Sequence, residues 1–396
     1  MAGPLSHIRV LDMSRIMAGP WAGQILADLG AEVIKVERAG VGDDTRRWGP
    51  PFLKDSEGNP TGESGYYLSV NRGKKSIEVD LSSAEGQQII RDLAKKSDIL
   101  LENFKVGTLE RYGLGAEDLR AINPELIYCS ITGFGQSGPM AQDVAYDFMI
   151  QAMGGLMSVT GVADGEVGAG PQKVGIPIID ILTGMYASVS VLAALANRAH
   201  AGKGETVDVA MLDVSTAILS NQAMNYLVSG QVPERKGNKH PNIQPQDVFP
   251  VQDGHIVIAV GNDEQFARFS DVLGFAKWAE DDNYSTNVER VKNLSSLHPK
   301  ICEALKTQKL SYWLDKLSSV KVPCAPINTI PMTLEQPQIK HRQMLKYIAH
   351  PLSGMVPQIV SPMKFTEAPL SFDHAPPLLG EHTDEILAQL SNRKST

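Results

Sequence analysis

The fold is decided by the stretch IRVLDMSRIMAGPWAGQILADLGAEVIKVE, which spans residues 8–37. Residues 8–13 and 32–37 are rich in β-branched and aliphatic side chains, which favour buried strands. Between them, Ala18-Gly-Pro opens a helix that runs to about Leu29, since proline is tolerated in the first turn of a helix. A strand, a helix and a second strand at this spacing predict a parallel β-α-β unit.

The same alternation continues through the first third of the chain. Strands are predicted at residues 76–81, 98–103 and 126–135, and an amphipathic helix at 83–97 begins with Ser83 as its N-cap. This order predicts an α/β fold with a Rossmann-like, doubly wound parallel sheet. The first strand-to-helix turn lacks the close glycine pair of dinucleotide-binding proteins, so a dinucleotide oxidoreductase is disfavoured.

The rest of the chain divides by composition. Three segments carry small and aliphatic residues on most faces, which predicts helices buried within one subunit or between two: 146–157, 181–199 and 212–229. A Pro-, Asn- and charge-rich stretch begins near residue 230 and predicts a small α+β domain over 230–325. Residues 326–396 are expected to return to the large domain that starts with residues 1–229.

Composition excludes several classes of function. The net charge is −8 over 396 residues, without a long basic stripe, which argues against nucleic acid and an anionic membrane surface as partners. Cys129, Cys302 and Cys324 are far apart, so we expect no disulfide framework, no metal site, no permanently bound cofactor and a reducing, cytoplasmic compartment. The uncharged stretch 181–197 contains Thr, Ser, Tyr and Gly, which favours a buried helix over a membrane span.

Asp180 is the only residue with an acidic or basic side chain that is charged near neutral pH between Lys173 and Arg198. A carboxylate without a partner in an apolar run is costly, and its pKa tends to rise. Two interpretations remain open: Asp180 is the N-cap of a helix over 181–199, or it is a reactive carboxylate kept away from water. They are compatible, because a helix N-terminus stabilises the ionised form that a nucleophile needs.

Basic residues lie near the predicted carboxyl ends of strands, which is where open α/β sheets bind ligands. As a set they favour a phosphate-bearing ligand, although each alone is better explained as a solvated loop cation. They are Arg38, Arg72, Lys74, Lys75, Lys105 and Arg111. Tyr146 follows a glycine-rich loop, and it is either a substrate contact or a tyrosine of the core.

Six different motifs follow one another along nearly the whole chain: VLDMS at 10–14, DLGAEVIKVER at 28–38, NRGKKSI at 71–77, ENF at 102–104, ITGFGQSGP at 131–139 and PPLLGEHT at 376–383. In these motifs the chain resembles the family III CoA-transferases, which include formyl-CoA, carnitine and succinyl-CoA:dicarboxylate transferases. The resemblance implies that coenzyme A and acyl-CoA bind as substrates, together with a small carboxylic acid. It also implies a homodimer whose two chains interlock as rings.

The resemblance further implies that Asp180 is the nucleophile. It attacks the acyl-CoA thioester to form an acyl-aspartyl anhydride, which the CoA thiolate converts into an aspartyl-CoA thioester. The incoming carboxylate then resolves this thioester through a second anhydride. The residues implied to contact CoA are Met17, Ala18, Arg38, Asn103, Phe104, Lys105, Arg111 and Tyr146.

Within this resemblance, two alternatives to a transferase remain. One is a racemase of 2-methylacyl-CoA, but the histidine of that branch falls at Tyr146, and tyrosine is a poor proton shuttle at neutral pH. The other is a non-catalytic acyl-CoA-binding protein. Met17 and the segment AVGNDEQF at 259–266 depart from the formyl-CoA:oxalate pattern, so succinyl-CoA and a dicarboxylic acid are favoured. Candidates for holding the second carboxylate of that acid are Arg15, Arg235, Lys239 and His240.

Overall fold

The structure is a computed structural model, and it describes residues 3–391 of the chain. The strands, numbered in chain order, are β1 (Arg9–Asp12), β2 (Glu32–Arg38), β3 (Phe52–Lys54), β4 (Pro60–Ser64), β5 (Lys74–Val79), β6 (Ile99–Glu102), β7 (Ile127–Thr132), β8 (Gly161–Val162), β9 (Gly170–Pro171), β10 (Thr206–Ala210), β11 (Gln246–Val251), β12 (Gly254–Ala259), β13 (Cys324–Pro326), β14 (Leu345–His350) and β15 (Gly354–Ile359).

The helices are numbered in the same way. They are α1 (Ala18–Asp28), α2 (Gly65–Leu68), α3 (Ala84–Ala94), α4 (Ala116–Ile122), α5 (Asp147–Met153), α6 (Leu156–Val159), α7 (Ile178–Ala201), α8 (Met211–Ala217), α9 (Ser220–Ser229), α10 (Asp263–Val272), α11 (Asn287–Lys292), α12 (Leu294–Leu305), α13 (Leu310–Ser319), α14 (Ile330–Glu335), α15 (Pro337–His341) and α16 (Thr383–Ser391). Short 3₁₀ helices occur at Asp44–Arg47, Glu110–Tyr112 and Ala276–Ala279.

The chain divides into two compact units. The first comprises Met1–Leu156, Lys173–Met224 and Pro337–Thr396, and the second comprises Met157–Gln172 and Asn225–Gln336. The sequence predicts a large domain that continues to residue 229, whereas the segment 157–172 belongs to the second unit. Ion pairs from Arg235 to Asp164 and from Lys239 to Glu166 join this segment to the rest of that unit.

The first unit is built on a six-stranded sheet with the strand order β10-β7-β6-β1-β2-β5, and every neighbouring pair is parallel. This confirms the predicted α/β fold and its parallel sheet, although β10 was not predicted. The strand order reverses between β1 and β6. Ligands of doubly wound sheets bind in the crevice at the carboxyl ends of the two strands that flank such a switch point. The loops after Asp12 and Glu102 therefore form the expected ligand edge.

Both faces of this sheet are covered, because successive side chains of a strand point to opposite sides. On one face, Val10 and Cys129 belong to a buried cluster with residues of α1 and α7. On the other, Leu11 and Tyr128 pack in a second cluster with residues of α3, α4 and α16. Burying a large aliphatic side chain contributes about 1.5–3 kcal/mol, so these two clusters account for much of the stability of the unit.

The helix α7 packs closely against α1. A Cβ atom at Gly184 would lie 2.5 Å from the carbonyl oxygen of Ala18, so only glycine permits this approach. Among the described residues, α7 alone is long and apolar enough to cross a membrane by length and composition. It contacts α1, β7 and β10, as the core helix of a globular unit does. The predicted helix over 212–229 is wrong as a single helix, since Ser220 has a φ of 45° and separates α8 from α9.

Three of the basic residues predicted at the ligand edge lie elsewhere. Arg72 precedes β5, and Lys74 and Lys75 are the first two residues of that strand, so all three lie at its amino end. Arg72 pairs with Asp28 at 2.7 Å and Lys74 pairs with Asp12 at 2.8 Å, in both cases away from solvent. A buried cation requires such a partner. The prediction of Arg72 and Lys74 as phosphate ligands is therefore wrong, and their charges hold β5 to its neighbours. Lys75 is partly exposed and pairs with Glu385 at 2.8 Å, away from the ligand edge.

The second unit has a three-stranded antiparallel sheet in the order β11-β12-β13. Its core includes Phe249, Phe266 and Phe269, which are fully buried together with residues of α12 and α13. The guanidinium of Arg290 is also buried, and it donates to Asp263 and to backbone carbonyl oxygens. This α+β arrangement provides a core that is separate from that of the parallel sheet.

Candidate active site

A cavity of about 240 Å³ lies at the switch point of the parallel sheet. The loops after β1, β6 and β7 and the first turn of α7 form its walls. Most of the predicted site residues line it: Met17, Ala18, Asn103, Phe104, Lys105, Tyr146 and Asp180. Residues that are far apart in the sequence thus converge, because the carboxyl ends of parallel strands meet at one edge.

A second cavity of about 310 Å³ shares Arg15 and Phe104 with the first. Its walls combine apolar side chains with Arg38, with Lys35 and with the carboxylates of Glu37, Asp43 and Asp80. Besides Phe104, the apolar members are Met13, Val36, Val79, Leu81 and Tyr112. Arg111 is not among the lining residues of either cavity, and its guanidinium lies 3.4 Å from the hydroxyl of Thr108, which lines the second. The two cavities together suit an elongated ligand with an apolar ring system at one end.

Paired hydrogen bonds join the two loops at the switch point. The side chain of Asn103 accepts from the backbone N–H of Arg15 at 2.8 Å and donates to the carbonyl oxygen of Arg15 at 2.7 Å. Next to Arg15, Ile16 has a φ of 73°, which is unusual for a β-branched residue. Its N–H points to the carboxylate of Asp43. These contacts fix the backbone of the loop that precedes Met17.

Asp180 is the third residue of α7, and Pro177 occupies the N-cap position. The prediction that Asp180 is itself the N-cap is therefore wrong, because the helix begins at Ile178 rather than at residue 181. The cap comes from Asp147, the first residue of α5. Its Oδ1 accepts from the N–H of Ile179 at 2.8 Å and from the N–H of Asp180 at 3.2 Å.

Gln151, which is fully buried, holds the capping carboxylate in place. Its side-chain N–H donates to Oδ2 of Asp147 at 2.6 Å, and its carbonyl oxygen accepts from the N–H of Val174 at 2.9 Å. Both oxygens of Asp147 are therefore engaged, and the segment before α7 is tied to α5. This network fixes the position of Asp180 at the wall of the cavity.

Burial raises the pKa of Asp180 to about 7, and the negative charge of Asp147 contributes to the rise. A helix N-terminus ordinarily stabilises a carboxylate, but here Asp147 already accepts from the first N–H groups. The expectation that the helix N-terminus keeps Asp180 ionised is therefore wrong in direction. Near neutral pH, a substantial fraction of Asp180 retains its proton.

Tyr66 belongs to the surroundings of Asp180, and the sequence offered no signal for it. Burial raises its pKa to about 12, and the charges of Asp180 and Asp147 add to this shift. Its ring meets Trp48 edge-on at a centroid distance of 5.0 Å. The hydroxyl group of Tyr66 therefore keeps its proton at neutral pH and is available as a hydrogen-bond donor close to two carboxylates.

The candidates for binding a second substrate carboxylate differ in position. Arg15 lines the cavity of Asp180, while its guanidinium bonds Asp44 at 2.9 Å. Arg235 and Lys239 pair with acidic residues of the second unit, and His240 accepts two backbone N–H groups there. Arg15 is thus the one of the four that contacts this cavity. Within residues 3–391, no cluster of His, Cys, Asp and Glu is arranged to hold a metal ion.

Comparisons with known proteins agree on one family. The profile of CoA-transferase family III matches residues 5–383. The chain is 44% identical to a succinate–glutarate CoA-transferase of Agrobacterium fabrum, over 99% of this chain and 97% of the relative. It is 40% identical to the succinyl-CoA:glutarate CoA-transferase of Homo sapiens, over 98% and 86%. A CAIB/BAIF family protein from Brucella suis superposes with a TM-score of 0.86 at 46% identity, over 99% of this chain and all of that one.

The raised pKa of Asp180 has a consequence for stability that Asp180→Asn tests. The folded chain binds the proton more tightly than the unfolded chain, whose Asp has a pKa near 3.8. The wild type therefore loses stability as the pH rises from about 4 to about 7. Compared with the wild type, Asp180→Asn should have a free energy of unfolding that is higher by up to about 4 kcal/mol at pH 8 and little changed at pH 4. Urea unfolding at the two pH values measures this difference.

The matched control is Asp213→Asn, since Asp213 is the third residue of α8 and is exposed. It should change the free energy of unfolding by less than about 0.5 kcal/mol at either pH. A pH-independent effect of Asp180→Asn would contradict the raised pKa.

Proposed function

We propose that this chain, which belongs to CoA-transferase family III, moves CoA from succinyl-CoA to a dicarboxylic acid such as glutarate. The observation that carries the proposal is the placement of Asp180 on the wall of the cavity at the switch point, next to a second cavity of suitable size for the nucleotide end of CoA. Two relatives whose names specify succinate or succinyl-CoA and glutarate support the choice of substrates.

In the proposed reaction, a carboxylate oxygen of Asp180 attacks the thioester carbonyl and the C–S bond breaks. This step forms a succinyl-aspartyl anhydride and CoA thiolate. The thiolate attacks the Asp180 carbonyl, which releases succinate and leaves an aspartyl-CoA thioester. The acceptor carboxylate displaces the thiolate to form a second anhydride. Finally, the thiolate attacks the acceptor acyl carbon, which forms the new acyl-CoA and restores Asp180.

The walls of the cavity suit these intermediates because an anhydride must not meet water. Met17, Ala18, Ile131 and Met211 supply apolar surface around Asp180. Lys105 and Arg38 supply positive charge for the phosphates of CoA.

The racemase alternative gains no support from the site. A racemase needs a group that exchanges a proton at neutral pH, and histidine is the usual choice. No histidine occurs among the residues that line the cavity of Asp180, and the pKa of the nearby Tyr66 is raised to about 12. A passive acyl-CoA-binding protein, in turn, gains nothing from a buried carboxylate whose ionisation is costly.

A homodimer is part of the proposal, with the interlocked rings that the family resemblance implies. Large apolar side chains are exposed on the central helices, including Val189 of α7 at 63% and Leu227 and Val228 of α9 at 71% and 80%. Monomeric proteins seldom expose so many large apolar groups, which supports a partner chain as their cover.

Light scattering tests the homodimer and should give twice the chain mass of 42.9 kDa. Separately tagged dimers should not exchange subunits without unfolding; a monomer that retains transferase activity would refute this part.

The covalent mechanism is tested by trapping. Wild-type protein incubated with succinyl-CoA should yield, after hydroxylamine treatment, a modified peptide that contains Asp180. Asp180→Asn should give no such peptide and should lose at least about 10³-fold in CoA transfer to glutarate, because the nucleophile is absent. The same assay compares glutarate with mesaconate, oxalate and butyrate. The substrate proposal is abandoned if the monocarboxylate or oxalate is preferred, and the mechanism is abandoned if another residue is modified.

Asp147→Asn tests whether the negative charge of Asp147 raises the pKa of Asp180. The asparagine keeps an oxygen that can accept the two N–H groups of α7 but removes the negative charge beside Asp180. The pKa of Asp180 should fall by about one unit, so the acidic limb of kcat/KM, near pH 7 in the wild type, should move down by that amount.

The matched control for this variant is Asp143→Asn, since Asp143 is exposed and lines the same cavity. The acidic limb of its kcat/KM profile should stay within about 0.3 pH units of that of the wild type. An unmoved limb in Asp147→Asn, or an equal shift in both variants, would remove Asp147 from this role.

A further inference from the structure

The second unit contains three side chains that the proposed transfer reaction does not use: Asp247, His298 and Cys302. His298 and Cys302 are four residues apart on α12, so they share a face of that helix. The Cys302 sulfur lies 3.7 Å from Nδ1 of His298, and Nε2 of His298 lies 2.9 Å from Oδ2 of Asp247. The order of thiol, imidazole and carboxylate is that of an activated cysteine with its base and the group that orients the base.

The carboxylate determines which nitrogen of the imidazole faces the thiol as a base. Asp247 is buried on β11, and its Oδ1 accepts from the N–H of Val248 at 2.7 Å. An ionised carboxylate only accepts hydrogen bonds, so Nε2 of His298 carries the proton and Nδ1 presents a lone pair to Cys302. The ring of Phe249 lies against the imidazole at a centroid distance of 5.2 Å, which restricts its rotation.

We propose that Cys302 is a nucleophilic thiol that reacts with hydroperoxides, with His298 as its base and Asp247 as the residue that positions His298. The thiol is half-buried, so a small oxidant reaches it without a formed substrate pocket. The thiol proton moves to Nδ1 while the sulfur attacks one peroxide oxygen and the O–O bond breaks. The leaving oxygen takes the proton and departs as water or an alcohol. The sulfur is oxidised to a sulfenic acid as the peroxide is reduced.

The surroundings of Cys302 make the base essential. Burial raises the pKa of the thiol; the charges of Lys306 and Lys239 oppose this effect, and those of Asp247 and Glu303 add to it. A standing population of thiolate is therefore small, and the reaction depends on proton transfer to His298 as the sulfur attacks. Removal of the base should then have a larger effect here than on a cysteine whose thiolate is already stable.

The other two cysteines serve as internal controls in the same molecule. Cys129 is fully buried on β7, and Cys324 is half-buried on β13, where its sulfur lies 3.8 Å from the Ser318 hydroxyl. The full-length protein is treated with hydrogen peroxide in the presence of dimedone, which traps sulfenic acids, and each cysteine peptide is quantified by mass spectrometry. Cys302 should be labelled at least about tenfold faster than Cys324, and Cys129 should remain unlabelled until the protein unfolds.

Two variants test the roles of the neighbours. His298→Gln removes the base, and Asp247→Asn places an amide donor opposite Nε2, which moves the ring proton to Nδ1 and removes the lone pair facing the thiol. Each should slow the labelling of Cys302 at least about tenfold, to the rate of Cys324. His255→Gln, at an exposed position of β12, is the matched control and should leave the rate unchanged.

Thermal unfolding verifies that each variant is folded. If His298→Gln does not fold, the rate of Cys302 labelling in Asp247→Asn decides whether His298 acts as the base. The proposal is wrong if Cys302 reacts no faster than Cys324, or if folded Asp247→Asn reacts like the wild type. It is independent of the transfer reaction, so Asp180→Asn should form the sulfenic acid at the wild-type rate.

Discussion

The hydrogen bonds between the carboxylate of Asp147 and the first turn of α7 are the interaction on which the site depends. They place Asp180 on the cavity wall, and Gln151 fixes their geometry from within the core. The same carboxylate occupies the N–H groups that would otherwise stabilise a charge on Asp180. The contact that fixes the position of Asp180 therefore also adds to the rise in its pKa, of which burial is the larger cause.

The topology of the sheet explains why the cavity lies where it does. Because the strand order reverses between β1 and β6, the loops that follow these strands diverge and leave a crevice between them. Asn103 closes the base of this crevice through its two bonds to Arg15. Phe104 then separates the two cavities while it lines both.

The parallel sheet could be predicted, because alternating strands and helices are a local pattern. An isolated acid is another local pattern, and it singled out Asp180, which lies at the cavity wall. The cap from Asp147 and the contribution of Tyr66 could not, since each depends on contacts between segments that are distant in the sequence. The misassigned cations illustrate the same limit. Lys74 in a buried ion pair with Asp12 and Lys105 at the cavity are equally basic in the sequence, and only the fold separates their roles.

The proposed transfer places two opposing demands on the surroundings of Asp180. In the proposed transfer, water must be excluded around Asp180, and the carboxylate must still ionise there. An apolar wall alone favours the protonated acid, so the free energy that sustains the charge has to come from elsewhere. Contacts of an elongated substrate in the second cavity, remote from the reacting carbonyl, are a suitable source, because binding energy gained there can offset the desolvation of the nucleophile. On this proposal, the second cavity contributes to the reaction at Asp180 as well as to the binding of the substrate.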